Sequence, residues 1–403
     1  MGSLKQTKRY LFLMLIALFI FSCNEDEEID LNKSIIQSEN FVGIENAKEI
    51  GSVFDFSVNN NTAKSSFEKH KNKKIASINE ITDNSDESIC YVINYENGGF
   101  VIISADKRVY PILAYSESNT FTFDSDNYPQ GLVNWIDNTV CKVKKIRELN
   151  SPQKPEIKDI WDNLYYIAAP PYEDYYDDDD GYNSEDETDY DDCNNTYTYV
   201  GPFLSTVWDQ YTPYNDAIPS RNCSEDSEGR PLVGCVALAM GQVMKYHEFP
   251  NTYNWDLMPD NDGSTETARL LWDAGKSIFT VYGCLGSGAE ITRVTTALKD
   301  NFGYSSAVLS DFNSNTVISE LNYGLPVILG ATVREDGRGG HVWVCDGYLR
   351  AFFCASGAGY LSLHMVWGMP NANFNAYYYY NGDWTMGEYS LNENKVMITR
   401  IIK

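Results

Sequence analysis

Residues 231–247 read Pro-Leu-Val-Gly-Cys-Val-Ala-Leu-Ala-Met-Gly-Gln-Val-Met-Lys-Tyr-His and place Cys235 directly after a glycine, at the start of a strongly helical run. The first N–H groups of a helix have no partner inside it and lie at the positive end of its dipole. A thiolate at that point is stabilised, so its pKa falls. The alternative role is a core residue, because Cys235 also lies on the apolar stripe of the helix. A base elsewhere in the chain would decide between the two.

The chain has four histidines, and one has a distinctive context. They are His70, His247, His341 and His364. His341 follows two glycines and opens a stretch, 340–348, whose alternation predicts a strand closed by an Asp-Gly turn at 346–347. A cysteine on a helix N-terminus and a histidine on a distant strand are typical of cysteine peptidases, in which the imidazole takes the thiol proton.

Two other histidines are candidates for the base that takes the Cys235 proton. His247 lies twelve residues after Cys235 on the same helix, about 18 Å along its axis, and therefore cannot pair with that thiol. We expect it to be a structural residue near the helix C-terminus, where a cation is favoured. His364 is the alternative base; strand alternation places it on the face of Val366, opposite Trp367. The Gly-Gly-His context favours His341.

Four segments, in this order, resemble the streptopain-like cysteine peptidases of the papain clan. They are Val200–Asn215 with Trp208 and Gln210, Gly234–His247, Gly340–Tyr348, and His364–Gly368. The resemblance implies an α+β fold with a two-lobed, papain-like peptidase domain. It also implies Cys235 as nucleophile and His341 as general base and then acid. That chemistry requires no cofactor.

The resemblance assigns two supporting residues. The side chain of Gln210, together with the Cys235 N–H, would donate hydrogen bonds to the oxyanion formed during attack on a carbonyl, and each such donor is worth about 3 kcal/mol. From the residues alone, Gln210 would instead be an exposed polar residue beside Trp208. Trp367 would shield the hydrogen bonds of the active site, and its alternative is an ordinary core residue.

The chain departs from the family pattern near its C-terminus. Where the pattern resembles His-x-Asn-Trp-Gly-Trp-Gly, residues 364–370 read His-Met-Val-Trp-Gly-Met-Pro. Val366 therefore stands where an asparagine would orient the catalytic histidine. Loss of such a residue is severe when the base becomes a cation during the reaction, and less so for a preformed thiolate–imidazolium pair. The replacement stays open among a backbone carbonyl and four nearby side chains, Asn371, Asn373, Asn375 and Asp383.

The N-terminus predicts export. Basic residues precede an apolar run, 10–22, that is too short for an ordinary membrane-spanning helix and is followed by Cys23. Residues 1–22 are therefore predicted to be a signal peptide. Ile20-Phe-Ser-Cys23 resembles a bacterial lipobox, which implies a lipid anchor on Cys23 and a lipoprotein of the outer membrane or cell surface. The alternative is a plain signal peptide with an incidental cysteine.

Residues 23–158 are predicted to form a small α+β prodomain. The expected elements are strands at Ile89–Tyr95, Phe100–Asp106 and Pro111–Ser116, a hairpin turn at Asn97-Gly98, and a helix from Leu132 toward Arg147. The segments Gly98–Asp106 and Leu113–Ser116 resemble the propeptide of streptopain-like zymogens, which implies an intramolecular inhibitor. A permanent accessory domain is the alternative.

An acidic linker, 159–199, is predicted between the prodomain and a catalytic domain at 200–403. Residues 170–198 contain no lysine or arginine, so self-repulsion should keep them extended and accessible to proteolysis. The alternative is an acidic spacer that is not processed. The net charge of −26 argues against a nucleic-acid partner.

The nine cysteines do not form a recognisable disulfide framework. With Cys23 and Cys235 assigned, seven remain at long intervals, so at least one thiol should be free. No cysteine or histidine spacing is typical of a metal site, and no metal is expected. The other predicted elements of the catalytic domain are a helix at Ser287–Phe302, a buried strand at Leu325–Val333, and strands at Ala376–Tyr380, Glu388–Leu391 and Lys395–Ile402.

Together these features predict a secreted cysteine endopeptidase, made as a zymogen, that hydrolyses peptide bonds through an acyl-enzyme. Its partners would be protein or peptide substrates and its own propeptide. One alternative is a catalytically impaired homologue that binds peptides or proteins through the same cleft, favoured by Val366 and by Met369-Pro370. Another is acyl transfer to an amine by the same cysteine and histidine.

Overall fold

The computed structural model describes most of the chain from residue 39 onward. The described residues are 39–54, 73–123, 130–162, 164, 196–224, 226–332, 340–353, 358–369, 374–380, 385–386, 389–390 and 395–403. The predicted signal peptide, Cys23 and most of the predicted linker lie outside them.

The N-terminal half combines helices with a four-stranded meander. Its elements are α1 (Ile44–Val53), β1 (Ile75–Thr82), β2 (Ser88–Tyr95), β3 (Phe100–Ser104), β4 (Ile112–Ser116), α2 (Gln130–Glu148) and α3 (Pro155–Asp162). The predicted hairpin at β2 and β3 is confirmed, with Asn97 and Gly98 at φ 67° and 87° in its turn. Both faces of β2 and β3 are buried, because α2 covers one face and α1 and α3 the other. That arrangement explains why these strands are almost continuously apolar.

The C-terminal half begins with a strand and a helix-rich segment and ends in strands. Its helices are α4 (Cys235–His247), α5 (Thr265–Ser277), α6 (Val294–Asp300) and α7 (Ser314–Asn322). Its strands are β5 (Thr196–Val200), β6 (Ser306–Asp311), β7 (Val327–Thr332), β8 (Gly340–Phe353), β9 (Ala358–Val366), β10 (Ala376–Tyr379), β11 (Thr385–Met386), β12 (Tyr389–Ser390) and β13 (Val396–Ile402). The predicted α+β class is confirmed.

One sheet joins the two halves. Its strand order is β1-β2-β3-β4-β10-β9-β8-β7-β13-β6, and β5 pairs with β8 beside this path. The junction is the antiparallel pairing of β4 with β10, in which Tyr115 lies opposite Tyr377 and Ala114 opposite Tyr378. The predicted prodomain therefore extends the sheet of the predicted catalytic domain.

Strand β8 lies between two cores. Val342 and Val344 belong to the core shared with α4, whereas Trp343 and Cys345 belong to the core shared with α2. Adjacent side chains of a strand point to opposite faces, and this alternation accounts for the division.

Three sequence expectations were wrong in detail. Asp346-Gly347 is not a turn: β8 continues through it with a bulge, because Gly347 lets the chain at Val200 approach closely. The helix expected at 287–302 is shorter, since Val281 and Gly288 pair with each other and α6 starts only at Val294. Residues 196–199 of the expected linker are not extended spacer but part of β5, paired with β8.

Candidate active site

Helix α4 begins at Cys235, immediately after Gly234, at a position where residues other than glycine would be strained. Gly234 has φ 91°, and a Cβ on it would lie 3.1 Å from the Ser287 carbonyl oxygen. Both the positive φ and the close approach favour glycine. The chain thus turns sharply into the helix and presents the half-buried Cys235 at its first turn.

The sulfur of Cys235 lies near main-chain N–H groups that favour its charged form, including that of Val342, the residue after His341. Burial raises the pKa of the thiol, and the N–H groups of Val342, Val236 and Cys235 itself lower it by less. The fall in pKa expected from the helix N-terminus is therefore outweighed, because burial penalises the charged thiolate. The thiol is neutral in this form of the chain.

His341 lies near the start of β8, opposite Ala331 of β7, and its side chain is buried. Its Nε2 lies 3.0 Å from the main-chain oxygen of Trp367. A carbonyl can only accept, so Nε2 carries the proton and Nδ1 is the nitrogen that can take one up. Burial lowers the pKa of His341 to about 4, and the bond to Trp367 opposes this effect.

Two tryptophans contact the imidazole of His341. The Trp343 ring is stacked with it at a centroid distance of 6.0 Å, and the Trp367 ring lies at 6.2 Å. The two indoles are themselves 4.9 Å apart. The structure thus brings Trp367 to His341 through both its ring and its carbonyl. Trp343 was not predicted as a contact of His341, although strand alternation puts residues two apart on one face.

The thiol and the imidazole are held by different groups. Among the described residues, no hydrogen bond joins the Cys235 sulfur to the His341 ring; the sulfur lies near the Val342 N–H, and the ring is bonded to the Trp367 carbonyl. Burial favours the neutral form of each group. The preformed thiolate–imidazolium pair considered from the sequence is therefore absent from this form.

Val366 occupies the position of the missing asparagine and is buried in the core shared by α4 and the sheet. The partner of the imidazole is instead a backbone carbonyl, one of the alternatives left open by the sequence. Asn375 contacts the main chain of the residue that supplies this carbonyl: its side-chain oxygen accepts the Trp367 N–H at 2.9 Å. Asn371, Asn373 and Asp383 lie outside the described residues.

The main chain brings Gln210 to the turn that precedes Cys235. The carbonyl of Gln210 accepts the Val233 N–H at 3.1 Å, two residues before the cysteine. Gln210 itself is partly buried, and the neighbouring Trp208 is fully buried with its indole N–H donating to the Pro259 carbonyl. A buried Trp208 thus anchors the segment from which Gln210 projects.

The alternative base, His364, has a different environment. Its Nδ1 lies 2.6 Å from a carboxylate oxygen of Asp346, which is fully buried. The other carboxylate oxygen of Asp346 accepts the Leu204 N–H at 2.8 Å. His364 and Asp346 therefore tie β8 and β9 to the chain that follows β5, and this pairing is structural in character.

His247 ends α4, as expected, but it is not a favoured cation. Its Nδ1 lies 3.2 Å from the hydroxyl of Tyr304, and its side chain is buried. Burial, with a smaller contribution from the nearby Lys403, lowers the pKa of His247 to about 4. Desolvation thus outweighs the helix dipole at this position.

One disulfide is present among the described cysteines, between Cys223 and Cys284. It ties the loop before α4 to the segment that leads to Ser287, the residue packed against Gly234. Cys90 and Cys345 are buried thiols outside any disulfide, as expected for an odd set. Cys193 and Cys354 lie outside the described residues.

The described residues contain no candidate metal site and no candidate membrane-spanning helix. No group of three or more His, Cys, Asp or Glu side chains there could hold a metal ion. No helix in the described part of the chain is both long and apolar enough to cross a membrane.

Comparisons with known proteins agree with this geometry. The signature of the peptidase C10 family matches residues 208–378, and that of the Spi protease inhibitor matches residues 39–143. Streptopain from Streptococcus pyogenes is 25% identical over 338 residues, which cover 70% of this chain and 72% of streptopain. The thiol protease/hemagglutinin PrtT of Porphyromonas gingivalis is 23% identical over 72% of this chain but only 34% of its own length.

The fold also matches a solved structure. A fragment of prointerpain A from Prevotella intermedia superposes with a TM-score of 0.54 at 22% identity, covering 81% of this chain and 99% of the fragment. Residues 208–378 are thus similar to the peptidase C10 family, the streptopain-like cysteine peptidases, and residues 39–143 ahead of them are similar to the Spi protease inhibitor.

Proposed function

We propose that this chain is the zymogen of an exported cysteine endopeptidase. In the processed enzyme, Nδ1 of His341 takes the Cys235 proton, and the thiolate attacks a substrate carbonyl to give a tetrahedral intermediate. The oxyanion receives hydrogen bonds from the Gln210 side chain and the Cys235 N–H. The imidazolium then protonates the leaving amine, and water hydrolyses the acyl-enzyme.

One observation carries this proposal: the Cys235 sulfur at the first turn of α4 lies near the main-chain N–H of Val342, the residue that follows His341. The nucleophile and the base are therefore anchored next to each other in the main chain. Since Nε2 of His341 is tied to Trp367, Nδ1 is the nitrogen left to accept a proton. His341 and Cys235 are not bonded to each other in the structure, and we assign the approach of the imidazole to the thiol to processing.

The Spi-type region supports the zymogen part of the proposal. Its strand β4 pairs with β10, and the rings of Tyr115 and Tyr377 stack at 5.0 Å across the junction. Strand β10 leads directly from Asn375, the residue that bonds the Trp367 main chain. The inhibitor region is thus joined to the strand next to the His341 support, and its removal would free that edge of the sheet.

The experiment uses residues 24–403 with the wild-type sequence, beside Cys235→Ala and the matched thiol control Cys90→Ala. Under mildly reducing conditions we expect wild type and Cys90→Ala to cut themselves within residues 160–200 and then hydrolyse casein. Cys235→Ala should stay intact. If wild type and Cys235→Ala behave alike, the proposed activity is wrong.

Export and lipid attachment form a separate part of the proposal. The basic residues before the apolar run 10–22 and the lipobox-like Ile20–Cys23 support it. Expression of the full chain in a bacterium with a clickable fatty acid should label the wild type and leave Cys23→Ala unlabelled. Equal labelling of both chains would exclude Cys23 as the site of attachment.

An impaired, peptide-binding homologue remains the alternative function, favoured by the apolar Val366 and by the separate surroundings of Cys235 and His341. The alternative predicts no self-cleavage at any point, together with peptide binding that is unchanged in Cys235→Ala. Acyl transfer to an amine is distinguished by the product: with a peptide amine added in water, a transferase would give mainly the new amide, whereas a peptidase would give mainly the free acid.

A further inference from the structure

The orientation of the His341 ring depends on a main-chain carbonyl, and a carbonyl is only as well placed as its peptide. Nε2 of His341 donates to the oxygen of Trp367 at 3.0 Å. Trp367 lies just beyond the end of β9, where the last ladder pairs are Val366 with Val344 and Met365 with Ala376. The sheet therefore provides no strand partner that would fix the Trp367 peptide.

A side chain takes the place of that strand partner. The Asn375 side-chain oxygen accepts the Trp367 N–H at 2.9 Å, in a site where Asn375 is only 7% exposed. The next residue, Gly368, has φ 70°, and a Cβ on it would lie 2.5 Å from a methyl of Leu238 on α4. Trp367 is thus held by Asn375 on one side and by close packing on α4 on the other.

Two buried side-chain amides lie in this region: Asn375 bonds the Trp367 N–H, and the Gln242 oxygen on α4 lies 4.0 Å from where a Cβ on Gly368 would be. Val366, where an orienting asparagine would stand, is apolar and 2% exposed. The amide that is hydrogen-bonded to the Trp367 main chain is that of Asn375, nine residues after Val366. The Asn375 side chain therefore contacts the Trp367 main chain, which in turn bonds the imidazole, rather than contacting the imidazole itself.

We propose that Asn375 is the positioning residue for the general base, acting through the Trp367 main chain on His341. The proposal rests on the proposed peptidase function. A buried hydrogen-bond partner behind a reacting group typically changes activity by about 10- to 100-fold in comparable sites. Without Asn375, the Trp367 carbonyl can rotate, and the imidazole loses the bond that keeps the proton on Nε2.

The test compares wild type, Asn375→Ala and Asn375→Asp in the full chain, processed by a trace of mature wild-type enzyme. Asn375→Asp keeps an oxygen that can accept the Trp367 N–H. The control is Asn313→Ala, because Asn313 makes the same type of bond at the start of α7. Its side-chain oxygen accepts the Thr316 N–H at 3.0 Å. Peptide hydrolysis is measured as kcat and KM across pH.

We expect Asn375→Ala to lose about tenfold or more in kcat with KM changed by less than about twofold, and its kcat/KM profile to shift in pH. Asn375→Asp should recover activity to within about threefold of wild type, and Asn313→Ala should match wild type. The proposal is overturned if Asn375→Ala retains wild-type kcat and pH profile. It is also overturned if Asn375→Asp is as poor as Asn375→Ala while both remain folded.

A second measurement separates failure of this inference from failure of the proposed function. The rate of Cys235 alkylation across pH, followed by mass spectrometry, reports the imidazole without any turnover. If wild type and Cys235→Ala both lack activity, the peptidase proposal is wrong. The alkylation profile then still decides on Asn375: a shift in Asn375→Ala that Asn375→Asp reverses supports positioning, and identical profiles exclude it.

Discussion

At the scale of single residues, burial determines the charge of the reacting groups. Burial pushes both Cys235 and His341 toward their neutral forms, and the neighbouring main-chain groups only reduce this effect. A buried neutral pair is chemically quiet. The residues that would act during the reaction are those that supply hydrogen bonds to charges not yet formed, and Gln210 is the one assigned to the oxyanion.

Gln210→Ala should lower kcat by about 10²- to 10³-fold with little change in KM, because the lost donor acts only on the oxyanion of the transition state. Gln210→Glu keeps the shape but removes the donor, so it should be as impaired as the alanine variant. Steady-state hydrolysis of a peptide amide by the processed enzyme gives both constants. Retention of activity within about tenfold by either variant would remove Gln210 from the mechanism.

His247 predicts a pH dependence of stability. Its pKa is lowered to about 4 in the folded chain, next to Lys403 and Tyr304, whereas the unfolded chain has the usual value near 6.5. The unfolded state therefore binds the extra proton between these values, so stability falls as pH decreases from about 6.5 to 4. The contribution is on the order of 1–3 kcal/mol.

The check is urea unfolding in the Cys235→Ala background at several pH values between 4 and 7. His247→Gln should show a smaller loss of unfolding free energy on acidification than its parent. If the two chains lose the same unfolding free energy on acidification, the folded state does not lower the pKa of His247. The interpretation of its burial would then be incorrect.

At the scale of elements, the start of α4 depends on a single glycine. Gly234 combines φ 91° with close packing on the Ser287 carbonyl, so it fixes where the helix begins and where the Cys235 sulfur lies. Ser287 belongs to the segment tied down by the Cys223–Cys284 disulfide. Placement of the thiol is thus a property of two segments in contact.

Gly234→Ala should lower the unfolding free energy by about 1–3 kcal/mol, because a non-glycine residue at this φ is strained and its Cβ is crowded. The matched control is Gly286→Ala, where an added Cβ meets nothing within 4 Å. Thermal unfolding should show a lower Tm for Gly234→Ala alone. Equal Tm values for the two variants would mean that the turn before α4 is not under the constraint described.

Sequence patterns identified elements that depend on local chemistry. The turn at Asn97-Gly98 requires positive φ at both residues, which their types permit, and the strong alternation of the Gly340–Tyr348 stretch marked β8. Asp346-Gly347 was misread as a turn, because the reason for Gly347 is the distant chain at Val200. The bond between His341 and the Trp367 carbonyl could not be predicted from the sequence either, because a main-chain carbonyl is present at every residue and gives no sequence pattern.

At the scale of the whole molecule, the inhibitor region and the peptidase region share one sheet. The junction between β4 and β10 has only two residue pairs, supplemented by ring contacts and by side-chain bonds. One of those bonds comes from Asn119, whose amide donates to the Asn375 carbonyl at 2.7 Å. The two regions also share buried apolar cores, in which Trp135 of α2 packs on Tyr378 at 5.0 Å, so release after cleavage would have to expose this surface.

Asn119→Ala should weaken docking of the inhibitor region by about 0.5–1.5 kcal/mol, so self-processing should be about 2- to 13-fold faster. Gln153→Ala is the control: its amide also donates to a main-chain carbonyl, that of Lys107, but within the inhibitor region. Gel analysis of processing over time measures both rates. An unchanged rate in Asn119→Ala, or an equal increase in both variants, would contradict the role given to this junction.

The most direct test of the account is the alkylation rate of Cys235 at neutral pH before and after processing, in wild type, His341→Ala and His364→Ala. The unprocessed chains should react slowly, because burial raises the pKa of the Cys235 thiol. After processing in trans, wild type and His364→Ala should react at least about tenfold faster, and His341→Ala should remain slow. Equal rates in processed wild type and His341→Ala would show that His341 does not activate Cys235, and the account would fail.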